Sequence, residues 1–297
     1  MKKIFSILLL LISLTQCFST FSNEENFKSK DEIKTQDHFV FLTVHLKLKK
    51  KSYESCLEEN SCITITDINS HVRKLNITFI NTPILVGSSF VFKHVDNKTR
   101  ILTSDHVCLG IKSYLKFDNV LVDSKYELLD TLGKNKNYNY LDMIQLKSNY
   151  DLTSVVTLFD FKGNKYEGVI INKQNKAKDL CIITSNNIIG TPVTFNEDNC
   201  NYGEEVINVS ASDGNYFPNA VPFHIGAYSG TIKNKRFVLF GKNEEVSLYT
   251  LNIDQGSSGS GVFSKNTKKL CGNINAKMNN SNLSIGSSNN AILEFIK

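Results

Sequence analysis

Asp254-Gln-Gly-Ser-Ser-Gly-Ser-Gly-Val-Phe263 lies between the apolar run Leu248 to Ile253 and the strand-like start Val262-Phe263. A serine–glycine tract of this kind also serves as a flexible linker, but a linker has no purpose between two strands of one β-rich region. Glycine is required where a tight loop turns its backbone N–H groups inward and a side chain would block the approach. Ser258 follows Gly256 by two residues and is itself followed by glycine, a setting that Ser257 and Ser260 lack. Ser258 is therefore the candidate nucleophile. The N–H groups of Gly256 and Ser258 are the candidate oxyanion donors, each worth about 3–4 kcal/mol in a transition state.

A serine hydroxyl attacks poorly until an imidazole takes its proton, and the imidazole needs a carboxylate to fix its tautomer. Upstream, Ile101-Leu-Thr-Ser-Asp-His-Val-Cys108 places His106 after a short apolar strand, at the start of a helical turn. The other histidines, His38, His45, His71, His94 and His224, have no such context and read as surface or satisfied core residues. Ala177-Lys-Asp-Leu-Cys-Ile-Ile183 supplies Asp179, which runs straight into a strand. Asp142, in Tyr140-Leu-Asp-Met-Ile-Gln-Leu146, is a rival of the same pattern and lies nearer His106 in the chain. The strand–turn–strand that precedes Asp179 favours Asp179. Asp105 cannot face its immediate neighbour His106 and reads as a helix-start residue.

The chain order His, Asp, Ser is that of chymotrypsin-type enzymes; α/β-hydrolases and subtilisins use other orders. At these residues the sequence resembles the trypsin-like serine proteases, and among them the short HtrA (Do-like) bacterial and viral members. Gly87-Ser-Ser-Phe-Val-Phe92 and Arg100-Ile-Leu-Thr-Ser-Asp-His-Val107 are similar to that family's G-S-G-F-V-I and I-L-T-N-N-H-V pattern. Tyr202-Gly-Glu-Glu-Val-Ile207 resembles the start of its second barrel, and Leu270-Cys-Gly-Asn-Ile-Asn275 its G-x-I-N strand. The likeness spans about residues 84 to 297. It departs at Ser260 and Gly261, where the family has glycine and proline. About 70 residues separate His106 from Asp179, so an insertion around residues 110 to 150 is expected. No peptide-binding PDZ domain fits after the second barrel, so the expectation is a catalytic domain alone.

The resemblance implies an all-β fold of two six-stranded antiparallel β-barrels, chymotrypsin-like, at about 84–190 and 191–297. A short C-terminal helix and a small N-terminal β-extension, 38–83, complete it. It further implies an exported serine endopeptidase working through His106, Asp179 and Ser258 with an acyl-enzyme intermediate and no cofactor. The alternatives are a protease-like binding module without turnover and a protease that cleaves only its own chain. By gapless count, Asn252 is the base of the substrate pocket, six residues before Ser258. Zymogens of this family hold an aspartate just before the nucleophile; Ser257 stands there, so no proteolytic activation is expected.

Composition narrows the classes further. Net charge is +5 over 297 residues, but the lysines are scattered among acids, unlike the clustered basic and aromatic surface of a nucleic-acid binder. Lys2 and Lys3 precede the apolar run Ile4 to Leu14, an export signal expected to end near residue 22. Cys17 offers lipid anchoring as a second possibility, against which Gln16, not a small residue, argues. No stretch is long and apolar enough to suggest a stable membrane span. Residues 23–37 are charged and apolar-poor and read as a flexible linker. Export makes disulfides expected among Cys56, Cys62, Cys108, Cys181, Cys200 and Cys271, which allow 15 pairings. If His106 touches Asp179, Cys108 and Cys181 are near enough to bridge. No spacing suggests a metal site, and the partner expected is a protein or peptide substrate.

Overall fold

Short β-branched and aromatic runs between Asn, Gly and Lys turns become strands in the computed structural model. It describes residues 35–50, 85–116 and 150–297, apart from 236, 238, 239, 243, 279 and 280. The signal segment with Cys17, most of the linker, Cys56, Cys62, His71, Asp142 and the strands expected at 62–66 and 75–80 lie outside the described residues.

The first seven strands are β1 (Phe39–Lys50), β2 (Leu85–Val95), β3 (Lys98–Thr103), β4 (Tyr150–Asp160), β5 (Lys165–Glu167), β6 (Val169–Asn175) and β7 (Leu180–Ser185). They form one antiparallel sheet in the order β5-β4-β1-β2-β3-β7-β6. The second set is β8 (Glu205–Val209), β9 (Phe223–Lys233), β10 (Glu245–Tyr249), β11 (Gly261–Ser264), β12 (Leu270–Asn273), β13 (Ala276–Lys277) and β14 (Ser284–Ser287). Their order is β12-β11-β8-β9-β10-β14-β13, again antiparallel. Helix α1 (Asp105–Lys116) follows β3, and α2 (Asn289–Ile296) closes the chain. The molecule is thus all-β with two curled half-barrel sheets, the chymotrypsin-like fold.

Each sheet has seven strands where six were expected. In the first, the difference lies at β1. The sequence reading sets this strand apart in an extension, yet it pairs with both β2 and β4. Its alternation fits an inner strand: Val40, Leu42 and Val44 are fully buried in the first core, while Phe39 and Phe41 point the other way. Just before it, Thr35 and Gln36, read as the end of a linker, are buried, and the Gln36 amide donates to the Val221 carbonyl at 3.2 Å.

The main cores follow from this alternation. Val40, Leu42, Ile101, Leu158 and Ile183 fill the first sheet, and Val206, Tyr249, Leu251 and Val262 the second. Between them, Phe90, Leu102 and Leu180 of the first sheet meet Ile207, Phe263 and Leu270 of the second, with Ile292 and Phe295 of α2. Each such side chain contributes about 1.5–3 kcal/mol by burial. Helix α2 starts where the Ser288 hydroxyl accepts from the Ala291 N–H at 3.2 Å, a serine cap that frees Asn289 to enter the interior.

Candidate active site

Register brings the first two candidates together. In the β3–β7 pair Thr103 stands opposite Cys181, so the chain leaving β3 passes beside the chain entering β7. His106 is the second residue of α1, and Asp179 is the last residue before β7. Val107, Cys108 and Ile111 anchor α1 in the first core, which leaves the His106 side chain about one-third exposed. Its Nδ1 lies 2.9 Å from Asp179 Oδ2 and 3.2 Å from Oδ1, and Oδ1 also accepts the His106 backbone N–H at 3.0 Å. The carboxylate is nearly inaccessible, at 3 % side-chain exposure, so the imidazole and amide replace the water it loses.

Asp179 has a backbone φ of +48°. Aspartate tolerates this left-handed conformation better than most residues. The turn is held at both ends, by Asp179 N–H to the Lys176 carbonyl at 3.3 Å and by the Asn275 amide to the Asp179 carbonyl at 3.0 Å. The Cys108–Cys181 disulfide, Cα atoms 6.4 Å apart, ties α1 to β7 two residues beyond His106 and Asp179. A second disulfide joins Cys200 to Cys271. Asp105 begins the helix as expected, and its carboxylate accepts from the Gln174 amide at 2.8 Å. Burial, more than any neighbouring charge, pushes its carboxyl above the usual carboxylate range.

Ser258 sits on the facing turn of the second sheet. The Ser258 carbonyl accepts from Ser88 N–H at 2.9 Å, and Gly259 N–H donates to the Ile274 carbonyl at 2.6 Å. Gly259 has φ +91°, and a Cβ there would run into the Ser88 carbonyl and the Thr103 hydroxyl. Gly256, φ +90°, is packed in the same way against the Ala211 carbonyl. The turn is therefore pressed against the strand that leads to His106. The Ser258 hydroxyl donates to the Asn275 carbonyl at 3.1 Å, and makes no hydrogen bond to His106 among the described residues. The N–H groups of Gly256 and Ser258 donate to no acceptor among the described residues.

Asn275 escapes the sequence reading, although it ends the quoted Leu270–Asn275 stretch. It is buried, and it touches all three segments of the site: its carbonyl takes the Ser258 hydroxyl, its amide holds Asp179, and its Oδ1 accepts from Ser104 at 3.2 Å. Asn252 carries a cation its sequence does not announce: Lys277 Nζ lies 3.2 Å from its Oδ1 and 3.1 Å from Asp254. Of the remaining histidines, His38 bonds the Thr191 carbonyl at 2.7 Å, His45 the Thr43 hydroxyl, His94 the Thr99 hydroxyl and His224 the Ser212 hydroxyl. His38, His94 and His224 make no hydrogen bond to a carboxylate among the described residues. No group of three or more metal-ligating side chains occurs there either, and among the described residues no helix is long and apolar enough to cross a membrane.

The fold agrees with comparisons to known structures. Rv3671c protease of M. tuberculosis in its active form superposes with a TM-score of 0.52 at 12% identity, over 88% of this chain and 80% of that one. An inactive form of Rv3671c from M. tuberculosis H37Rv gives 0.50 at 11% identity, over 88% and 86%. The HtrA-type protease AlgW with a decapeptide gives 0.53 at 12% identity, over 91% of this chain and 66% of that one. At such identities the likeness is one of fold. No family model matches the sequence, and no curated protein does.

Proposed function

We propose that this chain is an exported serine endopeptidase with His106, Asp179 and Ser258 as its catalytic triad. The observation that carries the reading is the 2.9 Å contact between His106 and the buried Asp179, on the wall against which the Ser258 turn is pressed. In the reaction the Ser258 hydroxyl leaves the Asn275 carbonyl and gives its proton to His106 Nε2 as Oγ attacks the peptide carbonyl. Asp179 keeps the proton on Nδ1 and stabilises the imidazolium. Gly256 and Ser258 N–H groups take the negative charge that develops on the carbonyl oxygen. His106 then protonates the leaving amine, and water, deprotonated by the same imidazole, releases the acyl group. The chemistry needs no cofactor. The solved neighbours support it: both are proteases, one of them with a bound decapeptide. Two disulfides support export.

The Ser258–Asn275 hydrogen bond favours a second reading, a fold of this kind that binds peptides without turnover. The two separate on a peptide library incubated with purified protein. Cleavage lost in Ser258→Ala supports the peptidase; binding with no cleavage by either form supports the binding module.

A further inference from the structure

Beneath the Ser258 turn lies a buried group of hydroxyls that the mechanism does not use. Ser257, Ser210 and Ser88 are fully inaccessible and Ser212 nearly so. Ser257 Oγ stands 2.6 Å from Ser212 Oγ and 3.0 Å from Ser210 Oγ. Ser212 Oγ continues to His224 Nε2 at 3.1 Å and accepts the Asp254 N–H at 3.4 Å. The ring of His224 also faces the Asn252 backbone carbonyl. Beside this chain, Ser88 donates to the Gly256 carbonyl at 2.7 Å and accepts from Ala211 N–H at 3.1 Å. The one-turn helix Ser212–Gly214 is thereby fastened to the loop at three points, the third being Asp213 N–H to the Gln255 carbonyl at 2.5 Å.

A carbonyl only accepts, so the His224 nitrogen that faces Asn252 carries the proton, and neutral His224 accepts at Nε2. The hydroxyls then have one consistent direction: Ser210 donates to Ser257, Ser257 to Ser212, and Ser212 to His224. Every buried hydroxyl in the row is satisfied, and the peptide that carries Gly256 and Ser258 is held from below. A proton on Nε2 makes that nitrogen a donor. Ser212 must then turn its hydrogen toward Ser257, and Ser257 toward Ser210, so that Ser257 no longer donates to the 212–214 turn.

We infer that the chain Ser257–Ser212–His224 is a positioning device that sets the oxyanion turn, with its hydrogen-bond direction governed by the charge on His224. The inference rests on the peptidase reading, since it assigns the turn its oxyanion role. The charged groups facing His224 are few. Asp254, on the loop, favours the imidazolium, but its carboxylate is paired with Lys277 of β13. Asp213 is exposed on the one-turn helix, and β8 presents the neutral Asn208 opposite His224. Burial dominates and pushes the His224 imidazole below its ordinary value, which keeps the ring neutral at pH 7.

Steady-state kinetics on peptide cleavage test this, after fluorophosphonate labelling of the wild type. Absence of labelling at Ser258 overturns the peptidase reading and this inference with it. With labelling established, Ser257→Ala is expected to lower kcat by about 10- to 100-fold with KM within about twofold, the scale of a small misplacement of catalytic groups. His224→Gln keeps an acceptor for Ser212 but does not titrate. It should retain wild-type kcat at pH 8 and lose one protonation from the acid limb of the wild-type kcat profile. His224→Leu should fall as Ser257→Ala does. A purely structural role would move none of the pH profile. Should Ser257→Ala fail to fold, the His224→Gln profile decides alone. An acid limb that overlays the wild type, or a folded Ser257→Ala with unchanged kcat, overturns the inference while the peptidase reading stands.

Discussion

His106 Nδ1 and the Asp179 carboxylate meet at 2.9 Å, and Asp179 reaches that position from a left-handed backbone with φ of +48°. Asparagine tolerates the same conformation, whereas alanine adds strain of about 1–2 kcal/mol. Asp179→Asn therefore isolates electrostatics from folding. It should melt close to the wild type and lower kcat by about 10⁴-fold, because the amide favours the wrong imidazole tautomer. Asp142→Asn, the rival from the sequence, should leave kcat within about twofold; the opposite pattern would transfer the role to Asp142.

The Cys108–Cys181 bridge closes a loop of 73 residues and lies two residues from each of the paired side chains. Chain-entropy arguments put its contribution at about 4 kcal/mol. The double variant Cys108→Ala/Cys181→Ala should lose that much unfolding free energy, read as a lower urea midpoint, and lose peptidase activity more steeply with temperature. An unchanged midpoint would show that burial alone holds α1 against β7.

His38 and His224 are both pushed below the ordinary histidine value of 6.5, chiefly by burial. The unfolded chain then binds more protons than the folded one between the lowered values and 6.5. Stability is fully present above about pH 6.5 and falls as pH drops through that window. Denaturation at pH 7.5 and pH 5 should show the loss, and His224→Gln should reduce it. A flat profile would mean that neither ring is neutral because of burial.

How much of this was legible in the sequence depends on distance along the chain. The β2–β3 hairpin announces itself through Asp96-Asn97, both with positive φ, between alternating runs. His106 and Asp179 stand out because each borders an apolar strand, and a strand fixes where its flanking residues sit. The place of β1 was not legible, because its partners β2 and β4 begin 35 or more residues beyond its end and nothing local encodes register across such a gap. The pairing of Cys200 with Cys271 was one of many possibilities. Asn275 and Ser212 look like ordinary polar residues; their contacts with Ser258, Asp179 and Ser257 exist only once the two sheets have curled and met.

Under the peptidase reading, substrate preference is expected to follow from Asn252 and Lys277. If Asn252 forms the pocket base, an ammonium 3.2 Å from its side chain repels a lysine or arginine entering it. A peptide library should show uncharged residues before the cleaved bond. Lys277→Ala should relax the exclusion of basic residues, whereas strong selectivity of the wild type for Arg or Lys would remove Asn252 from the pocket.

The central claim is that Ser258 is a nucleophile activated by His106. The direct measurement is intact-protein mass after exposure to a fluorophosphonate, with peptide mapping of the adduct. The account predicts one adduct per chain on Ser258, none in Ser258→Ala, and labelling slowed by at least about 10³-fold in His106→Ala. An unlabelled wild type, or an adduct that persists in Ser258→Ala, would contradict it.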